Sequence, residues 1–255
     1  MSKGGSQQRI IKTSINGSKV EDEDETSPVD PVRNFTLKQL RKFNGLGDAP
    51  LYLSVNGIVF NVSKAKDFYG AGGPYECFAG RECGVALAKM SFEETHLDDL
   101  EGCSTILNHG EKCELHSWIE KFRDFRCYPV MGRLVPNSKL PSADRIVSIE
   151  ELAQHDGTSS EIPEGYAAVP IYLGAGGKVF DVSFGGIEFY GPKGGYHRFA
   201  GKNASRALAK MSFDPADTAN PVSLEDLTEK EKQTLNDWVK TFEDRKCYPC
   251  VGRLE

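Results

Sequence analysis

The sequence lacks any long hydrophobic run. No stretch of its 255 residues approaches the ~20 consecutive apolar residues that a membrane-spanning helix requires. The N-terminal segment MSKGGSQQRIIKTSINGSK also lacks the apolar core of a secretion signal. These absences predict a soluble, cytoplasmic protein without an integral membrane segment, for which peripheral contact is the remaining route to endomembranes.

A concentrated basic face is absent as well. Acidic residues outnumber basic ones, 37 to 31, and the formal net charge at pH 7 is −6. Binding to nucleic-acid phosphates requires clustered lysine and arginine side chains. The charge pattern therefore argues against nucleic acid as a partner.

The cysteine pattern matches neither a disulfide scaffold nor a zinc site. The seven cysteines are an odd number without a secretion signal, which favours free thiols. Cys247 and Cys250 form a C-x-x-C pair, but no second pair or H-x₃-H completes a metal site. We expect this pair to lie in a strand, where its side chains point to opposite faces, so thiol redox catalysis is the weakest function considered.

The other motifs of catalysis are also missing. The sequence has no phosphate-binding loop, no paired-carboxylate site and no nucleophile with a base and an orienting group. These absences predict a protein that is not an enzyme.

What the sequence does contain is a long tandem repeat. The segment FAGRECGVALAKMSF at 78–92 aligns with FAGKNASRALAKMSF at 199–213, and the segments ending in GRL at 134 and 254 align at an offset of 120. A period this long indicates duplicated domains. We predict a disordered polar tail over 1–34, a first domain over 35–134, a linker over 135–145 and a second domain over 146–255.

Each repeat predicts the same α+β order of elements. Thr36 and Ser148 open capping boxes, Asn56-Gly57 predicts a hairpin turn, and a matching turn falls near 174–177. A glycine-rich loop then enters a helix, with Pro74 in its first turn, and a CYPxxGRL segment predicts a closing strand. Between these lies an amphipathic helix whose predicted core residues are Leu115, Trp118, Ile119 and Phe122, and Leu235, Trp238, Val239 and Phe242.

Three tyrosines recur in each repeat, beside glycines and phenylalanines. Glycines let the backbone approach closely, and aromatic walls suit a flat, hydrophobic ligand. A tyrosine phenolate can ligate ferric haem iron. The histidines do not recur in register, and His197, next to Tyr196, is expected to face the surface. The tyrosines are Tyr69, Tyr75 and Tyr128 in the first repeat and Tyr190, Tyr196 and Tyr248 in the second.

The order F-Y-G-x-x-G-x-Y-x-x-F-A-G, ALAKMSF, tryptophan helix and Y-P-x-x-G-R-L resembles the membrane-associated progesterone receptor family. The resemblance covers 35–134 and 147–254, and it implies two tandem cytochrome b5-like domains, each a small sheet with helices flanking a haem or steroid pocket. It implies haem b, one per domain, with Tyr75 and Tyr196 as iron ligands. The supporting cofactor-binding tyrosines are Tyr69, Tyr128, Tyr190 and Tyr248.

The same resemblance implies a function. The expected protein carries haem, or modulates cytochrome P450 and sterol enzymes at the endoplasmic reticulum, and can self-associate through an exposed haem face. The second repeat is the better haem candidate because Glu76 lies beside the expected ligand of the first. Arg126 or Lys246 is expected to replace a lysine that family members often carry before the last tyrosine. The alternative is a module that binds a steroid, another apolar ligand or a protein without haem.

Overall fold

The structure, a computed structural model, describes residues 32–219 and 222–255. The predicted tail lies outside the described residues as far as position 31. Arg33 and Asn34, which the sequence interpretation placed in that tail, instead belong to the first strand, because they pair with the strand that closes the first repeat. Among the described residues, no helix is long and apolar enough to cross a bilayer.

The two repeats form a similar succession of short elements, but the first has one α-helix and the second one strand that the other lacks. Those of the first repeat are β1 (Arg33–Phe35), α1 (Leu37–Leu40), β2 (Tyr52–Val55), β3 (Ile58–Asn61), α2 (Lys66–Tyr69), α3 (Gly84–Ala88), α4 (Gly102–Thr105), α5 (His109–Glu120) and β4 (Val130–Leu134). Those of the second are β5 (Ile146–Val147), α6 (Ile149–Gln154), β6 (Tyr172–Ala175), β7 (Lys178–Asp181), α7 (Ile187–Tyr190), β8 (Lys202–Asn203), α8 (Ser205–Lys210), α9 (Glu229–Lys240) and β9 (Cys250–Leu254). This is the predicted α+β class.

Each repeat is built on one mixed sheet. The strand order is β1-β4-β3-β2 in the first repeat and β5-β9-β7-β6-β8 in the second. In both sheets the closing strand lies between the opening strand, to which it is parallel, and the second strand of the hairpin, to which it is antiparallel. The hairpin turns fall at Asn56-Gly57 and Gly176-Gly177, all with positive φ, which confirms the predicted turns.

Successive side chains along a strand point to opposite faces of the sheet. In both repeats, apolar side chains line each of the two faces. In the first repeat, Leu53 and Phe60 face a large core beneath the helices, whereas Tyr52 and Val59 face a small core beneath α1. The second repeat likewise has a large core and a small core on opposite faces of its sheet. The large core of each repeat is the one that holds its tyrosines and therefore positions the site.

The long helix of each repeat packs largely as its periodicity predicts. Leu115, Ile119 and Phe122 are buried, and so are Leu235 and Phe242. Trp118, Trp238 and Val239 are only half-buried, and Trp238 lies where the helix meets the cavity described below. Thr36 forms the predicted capping box with Gln39, while Ser148 provides one half of a box by accepting from the Glu151 amide.

Two local predictions were wrong. The closing strands begin at Val130 and Cys250, because Cys127 and Cys247 end the preceding helical turn in the left-handed conformation, with φ of 49° and 53°. Cys247 therefore does not lie in a strand with Cys250. The glycine-rich loop leads into a 3₁₀ turn over Glu76–Phe78 rather than an α-helix.

Candidate ligand site

The glycine-rich loop brings two tyrosines of each repeat together. The Tyr75 amide donates to the Phe68 carbonyl at 2.9 Å, so that the loop folds back on α2. A Cβ on Gly73 would lie 2.6 Å from that carbonyl oxygen, which explains the glycine at this position. The rings of Tyr69 and Tyr75 consequently lie 5.9 Å apart.

The second repeat closes its loop in the same way. The Tyr196 amide donates to the Phe189 carbonyl at 2.9 Å, and a Cβ on Gly194 would lie 2.1 Å from the same oxygen. The rings of Tyr190 and Tyr196 lie 6.1 Å apart. The proline of this loop has moved relative to the first repeat, but the glycine of closest approach has not.

The third tyrosine of each repeat follows the C-terminal end of the long helix. The helix continues as a π turn, and the Tyr128 amide then bonds back to the Phe122 carbonyl at 3.0 Å. The Phe122 ring contacts the rings of Tyr69 and Tyr128 at 6.0 and 5.5 Å. In the second repeat, Phe242 contacts Tyr190 and Tyr248 at 6.5 and 5.6 Å. A buried phenylalanine thus joins the supporting tyrosines in both repeats.

Each repeat has one further aromatic residue at the site, a phenylalanine, that was not predicted from the sequence. Phe92 stacks at 5.9 Å on Tyr75, and Phe213 lies 5.7 Å from Tyr196. Both phenylalanines are about half exposed, at 59% and 49%. The repeated segment MSF contained the signal, because a large apolar residue that recurs at the surface of both copies requires a reason other than the core.

In the second repeat, Tyr190, Tyr196, Phe242 and Tyr248 line an open cavity of about 200 Å³. Its wall is mostly apolar, and its polar residues are three tyrosines, Thr241 and Lys246. The Lys246 ammonium lies 5.4 Å from the centre of the Phe189 ring. The lining residues are Phe189, Tyr190, Tyr196, Leu208, Trp238, Thr241, Phe242, Lys246 and Tyr248. Such a cavity suits a flat, apolar ligand with a polar edge.

The supporting tyrosines are held in the protonated form. Burial raises the pKa of Tyr69 and of Tyr190 well above the usual range of a phenol. Burial also raises the pKa of Tyr128, and that of Tyr248 to about 12, with Arg33 acting in the opposite direction on Tyr248. At neutral pH these hydroxyls are therefore hydrogen-bond donors rather than phenolates.

Tyr75 and Tyr196 are more accessible than the tyrosines that precede them in the motif, Tyr69 and Tyr190. Tyr75 is half-buried, and Tyr196 is 40% exposed, whereas Tyr69 and Tyr190 are 8% and 6% exposed. The accessible tyrosine of each repeat thus lies beside a buried one. The structure brings all three predicted tyrosines of each repeat into one cluster.

The histidine and cysteine alternatives find no support in the described residues. His197, expected at the surface, is half-buried, and its Nδ1 lies 3.1 Å from the Tyr190 carbonyl oxygen. Within 32–219 and 222–255, no group of three or more His, Cys, Asp or Glu side chains could hold a metal ion. The thiols of Cys247 and Cys250 donate to different carbonyls, those of Asp244 and Gly252.

Comparison with known proteins agrees with this architecture. A family model described as "Cytochrome b5-like Heme/Steroid binding domain" matches residues 36–123 and 148–254. "Probable steroid-binding protein 3" of Arabidopsis thaliana is 50% identical over 105 residues, which are 41% of this chain and 93% of that protein.

Two further relatives come from a fungus and an animal. "Cytochrome P450 regulator dap1" of Schizosaccharomyces pombe is 34% identical over 129 residues, covering 49% of this chain and 76% of that protein. "Membrane-associated progesterone receptor component 2" of Rattus norvegicus is 35% identical over 117 residues, covering 46% of this chain and 53% of that protein. The resemblance seen in the sequence is thereby confirmed: the chain belongs to the cytochrome b5-like haem/steroid-binding domain family, of which it carries two tandem copies.

Proposed function

We propose that the chain binds haem b through tyrosine phenolates, with Tyr196 as iron ligand in the second repeat and Tyr75 in the first. One observation carries this proposal: each repeat has a more accessible tyrosine, Tyr75 or Tyr196, beside a buried and protonated one, Tyr69 or Tyr190, in an aromatic cluster. A phenolate is a suitable ligand for ferric iron. Haem would supply a redox-active, flat, hydrophobic group that the aromatic walls can cover.

The residues present fit that group. The cavity of the second repeat is mostly apolar, and three tyrosines and Lys246 are among the residues that line it. Tyr190 and Tyr248 would donate hydrogen bonds within the site, and Tyr69 and Tyr128 would do so in the first repeat. The ammonium of Lys246 would face a carboxylate of the ligand, as expected for a cation at the rim of an apolar cavity.

The second repeat is the stronger candidate. In the first repeat, Glu76 follows the ligand candidate directly, and its carboxylate accepts from the Gly72 amide at 2.7 Å. This bond fixes a negative charge on the loop beside Tyr75. In the second repeat, His197 occupies the corresponding position and is bonded to a carbonyl. The first repeat therefore carries a carboxylate beside its ligand candidate, where the second carries an imidazole.

We further propose that the protein acts by binding rather than catalysis. It would carry haem or modulate a cytochrome P450 or sterol enzyme, as a soluble protein that contacts endomembranes peripherally. The names of the relatives describe steroid binding and P450 regulation, which supports this class of function. An open second face of the haem would also permit self-association through that face.

Titration with haemin tests the proposal directly. The wild-type chain, Tyr75→Phe, Tyr196→Phe and the double variant would be followed by absorbance, with Tyr166→Phe, a tyrosine outside both sites, as the matched control. We expect a high-spin ferric spectrum that Tyr196→Phe diminishes most and the double variant abolishes, because phenylalanine keeps the ring but cannot ligate iron. A full spectrum in the double variant would refute tyrosinate ligation.

A second candidate function follows from the apolar lining of the cavity. A steroid or similar ligand needs ring contacts rather than a phenolate, so its binding should survive both Tyr→Phe changes. Absence of any haemin spectrum in the wild-type chain, together with saturable steroid binding that persists in the double variant, would favour this alternative.

A further inference from the structure

Helix α1 of the first repeat caps the helical turn that precedes Tyr248 in the second. Lys38 Nζ donates to the Glu243 carbonyl at 3.3 Å, and Lys42 Nζ donates to the carbonyls of Asp244 and Arg245 at 3.2 and 2.9 Å. These carbonyls belong to the last turn of a helix, where backbone acceptors lack partners within the helix. Three consecutive acceptors therefore receive hydrogen bonds from the other repeat, and the Asp244 carbonyl accepts a further one from the Cys247 thiol.

Gln39 extends this cap to the wall of the cavity. Its side-chain nitrogen donates to the Lys246 carbonyl at 2.9 Å and to the Phe184 carbonyl at 2.6 Å. Gln39 is 4% exposed and Phe184 is fully buried. Lys246 lines the cavity, and Tyr248 follows two residues later. Gln39 thus joins the buried Phe184 segment to the chain two residues before the supporting tyrosine.

The aligned helix of the second repeat lacks the donors of Lys38 and Gln39. Glu150 and Glu151 occupy the positions of Lys38 and Gln39. Ionised carboxylates only accept hydrogen bonds, and a carbonyl requires a donor. The hydrogen bonds of Lys38 and Gln39 to the other repeat therefore have no counterpart that runs from the second repeat to the first.

A cleft of about 140 Å³ lies beside this contact and adjoins the ligand cavity. Four cations line it, namely Arg33 and Lys42 from the first repeat and Arg245 and Lys246 from the second. Lys246 and Tyr248 line both the cleft and the cavity. Among the described residues, none of those lining the cleft is acidic, and Lys42, Arg245 and Lys246 form no ion pair.

The charge of this cleft is unusual in an acidic protein. Lys42 donates to neutral carbonyls, so its positive charge is not cancelled. Arg33 is half-buried and packs against the Phe35 ring, with its guanidinium carbon 4.1 Å from the ring centre. A cleft of this charge, open to an apolar cavity, matches a ligand with an apolar body and carboxylates at one edge.

We propose that the first repeat completes the ligand site of the second, with Gln39 positioning the segment from Lys246 to Tyr248 and Arg33 contributing, with Lys246, the subsite for the carboxylates of a porphyrin-like ligand. This inference rests on the proposed function, because it assumes that the cavity of the second repeat binds such a ligand. It makes the two-repeat chain, rather than one repeat, the functional unit of that site.

Two forms of one ligand test the subsite. Haemin and its dimethyl ester share the macrocycle and iron, but only haemin carries free carboxylates. Both would be titrated into the full chain with Tyr75→Phe, which leaves the second site alone to be measured. Arg33→Ala should weaken haemin roughly tenfold, as for loss of one charge-assisted contact, and change the ester less than about twofold. Arg33→Lys should recover most of the loss.

Controls separate the outcomes. Arg41→Ala removes a cation from the same segment of the first repeat, but Arg41 pairs with Asp98 of its own repeat, so haemin binding should not change. Equal losses for haemin and its ester in Arg33→Ala, or no loss, would overturn the carboxylate subsite. Absence of haemin binding in the Tyr75→Phe parent would instead count against the proposed function of the second repeat itself.

The positioning role of Gln39 needs its own readout. Gln39→Glu keeps the shape of the side chain but removes both donors, as in the second repeat. We expect both ligands to bind roughly fivefold more weakly and the Soret band to shift, because Tyr248 loses its fixed place. A lower melting temperature with unchanged dissociation constants and spectrum would reduce Gln39 to a structural residue.

Discussion

The two repeats share a tyrosine site but differ in what covers the turn after the long helix. In the first repeat this turn faces solvent: Phe125 is 81% exposed, Cys127 is exposed and Tyr128 is half-buried. In the second repeat Cys247 and Tyr248 are each 5% exposed. The sequences are closely related here, so the difference arises from the first repeat resting against the second.

The same comparison explains a one-residue insertion. Ser63 and Ser183 align, as do Phe68 and Phe189, yet the second repeat has one more residue between them. The insertion falls at Phe184-Gly185-Gly186, where Phe184 is buried and Gly185 lies against Arg33. After a duplication, the copies have thus diverged at the surface where they touch, while the ring positions of the site stayed the same.

The largest expected effect is a difference in stability between alanine substitutions at Phe184 and at its aligned residue in the first repeat. Phe184→Ala should lower the free energy of unfolding by about 3–5 kcal/mol, because it empties a fully buried position. Lys64→Ala, at the aligned and exposed position of the first repeat, should change it by less than about 0.5 kcal/mol. Urea unfolding of both variants measures the contrast, and similar values would contradict the asymmetry.

The next effect concerns a carboxyl group that only the second repeat has. Burial raises the pKa of Asp181 to about 6, whereas Asn61 occupies the aligned position in the first repeat. The folded state therefore binds more protons than the unfolded state between about pH 4 and pH 6. The stability that this group contributes is complete below about pH 4 and is lost as the pH rises through 6.

Asp181→Asn removes that titration but keeps an oxygen that can accept from the Ile171 and Ser183 amides. Relative to the wild type, the variant should gain stability by up to about 3 kcal/mol as the pH rises from 4 to 7. Urea unfolding at intervals of one pH unit measures the gain. Parallel stability curves for the two proteins would show that Asp181 does not titrate in this range.

A smaller effect tests the close contact at Gly185. This residue has φ of 103°, and a Cβ there would lie 2.1 Å from Arg33 Nη1. Gly185→Ala should cost about 1–2 kcal/mol from backbone strain and displacement of Arg33. Gly177→Ala is the matched control, because Gly177 also has positive φ but no atom within 4 Å of its Cβ. Thermal unfolding should show a larger loss for Gly185→Ala, and equal losses would indicate that Arg33 is not crowded.

The smallest effect is a difference in alkylation rate between two aligned cysteines, which reports the accessibility of their thiols without a change in stability. Cys127 and Cys247 align, but only Cys127 is exposed. Alkylation of the native chain should modify Cys127 roughly tenfold faster than Cys247, because access to a buried thiol requires local opening. Peptide mass spectrometry would follow both rates. Gln39→Glu should accelerate the modification of Cys247 but not that of Cys127. Equal rates for the two cysteines in the wild-type chain would contradict the inference that the first repeat covers the turn at Cys247.

Much of this molecule could be predicted from local signals. The turn at Asn56-Gly57, the capping box of Thr36 and the stripe of Leu115, Ile119 and Phe122 all depend on neighbours close in sequence. The positions of the site tyrosines were available because the motif occurs twice. Local chemistry and repetition therefore suffice for the elements and for the candidate residues.

The remaining features depend on contacts distant in sequence. The Gln39 side chain donates to the Lys246 carbonyl across 207 positions of sequence, and no local pattern predicts that hydrogen bond. The left-handed turn at Cys247 overrides the extended conformation that CYPC favours, because the Tyr248 amide bonds back to Phe242. Phe92 could have been recognised as part of the site only by asking why an exposed apolar residue recurs.

The central place of β4 and β9 has a consequence for biosynthesis. Each closing strand joins the opening strand to the hairpin, so neither sheet can be completed until its last segment has left the ribosome. Contacts this distant in sequence slow folding, because a long loop must close before they form. Residue 134 emerges well before residue 254, so the first repeat can finish folding while the second is still being translated. Its helix α1 then meets the nascent second repeat as a preformed surface.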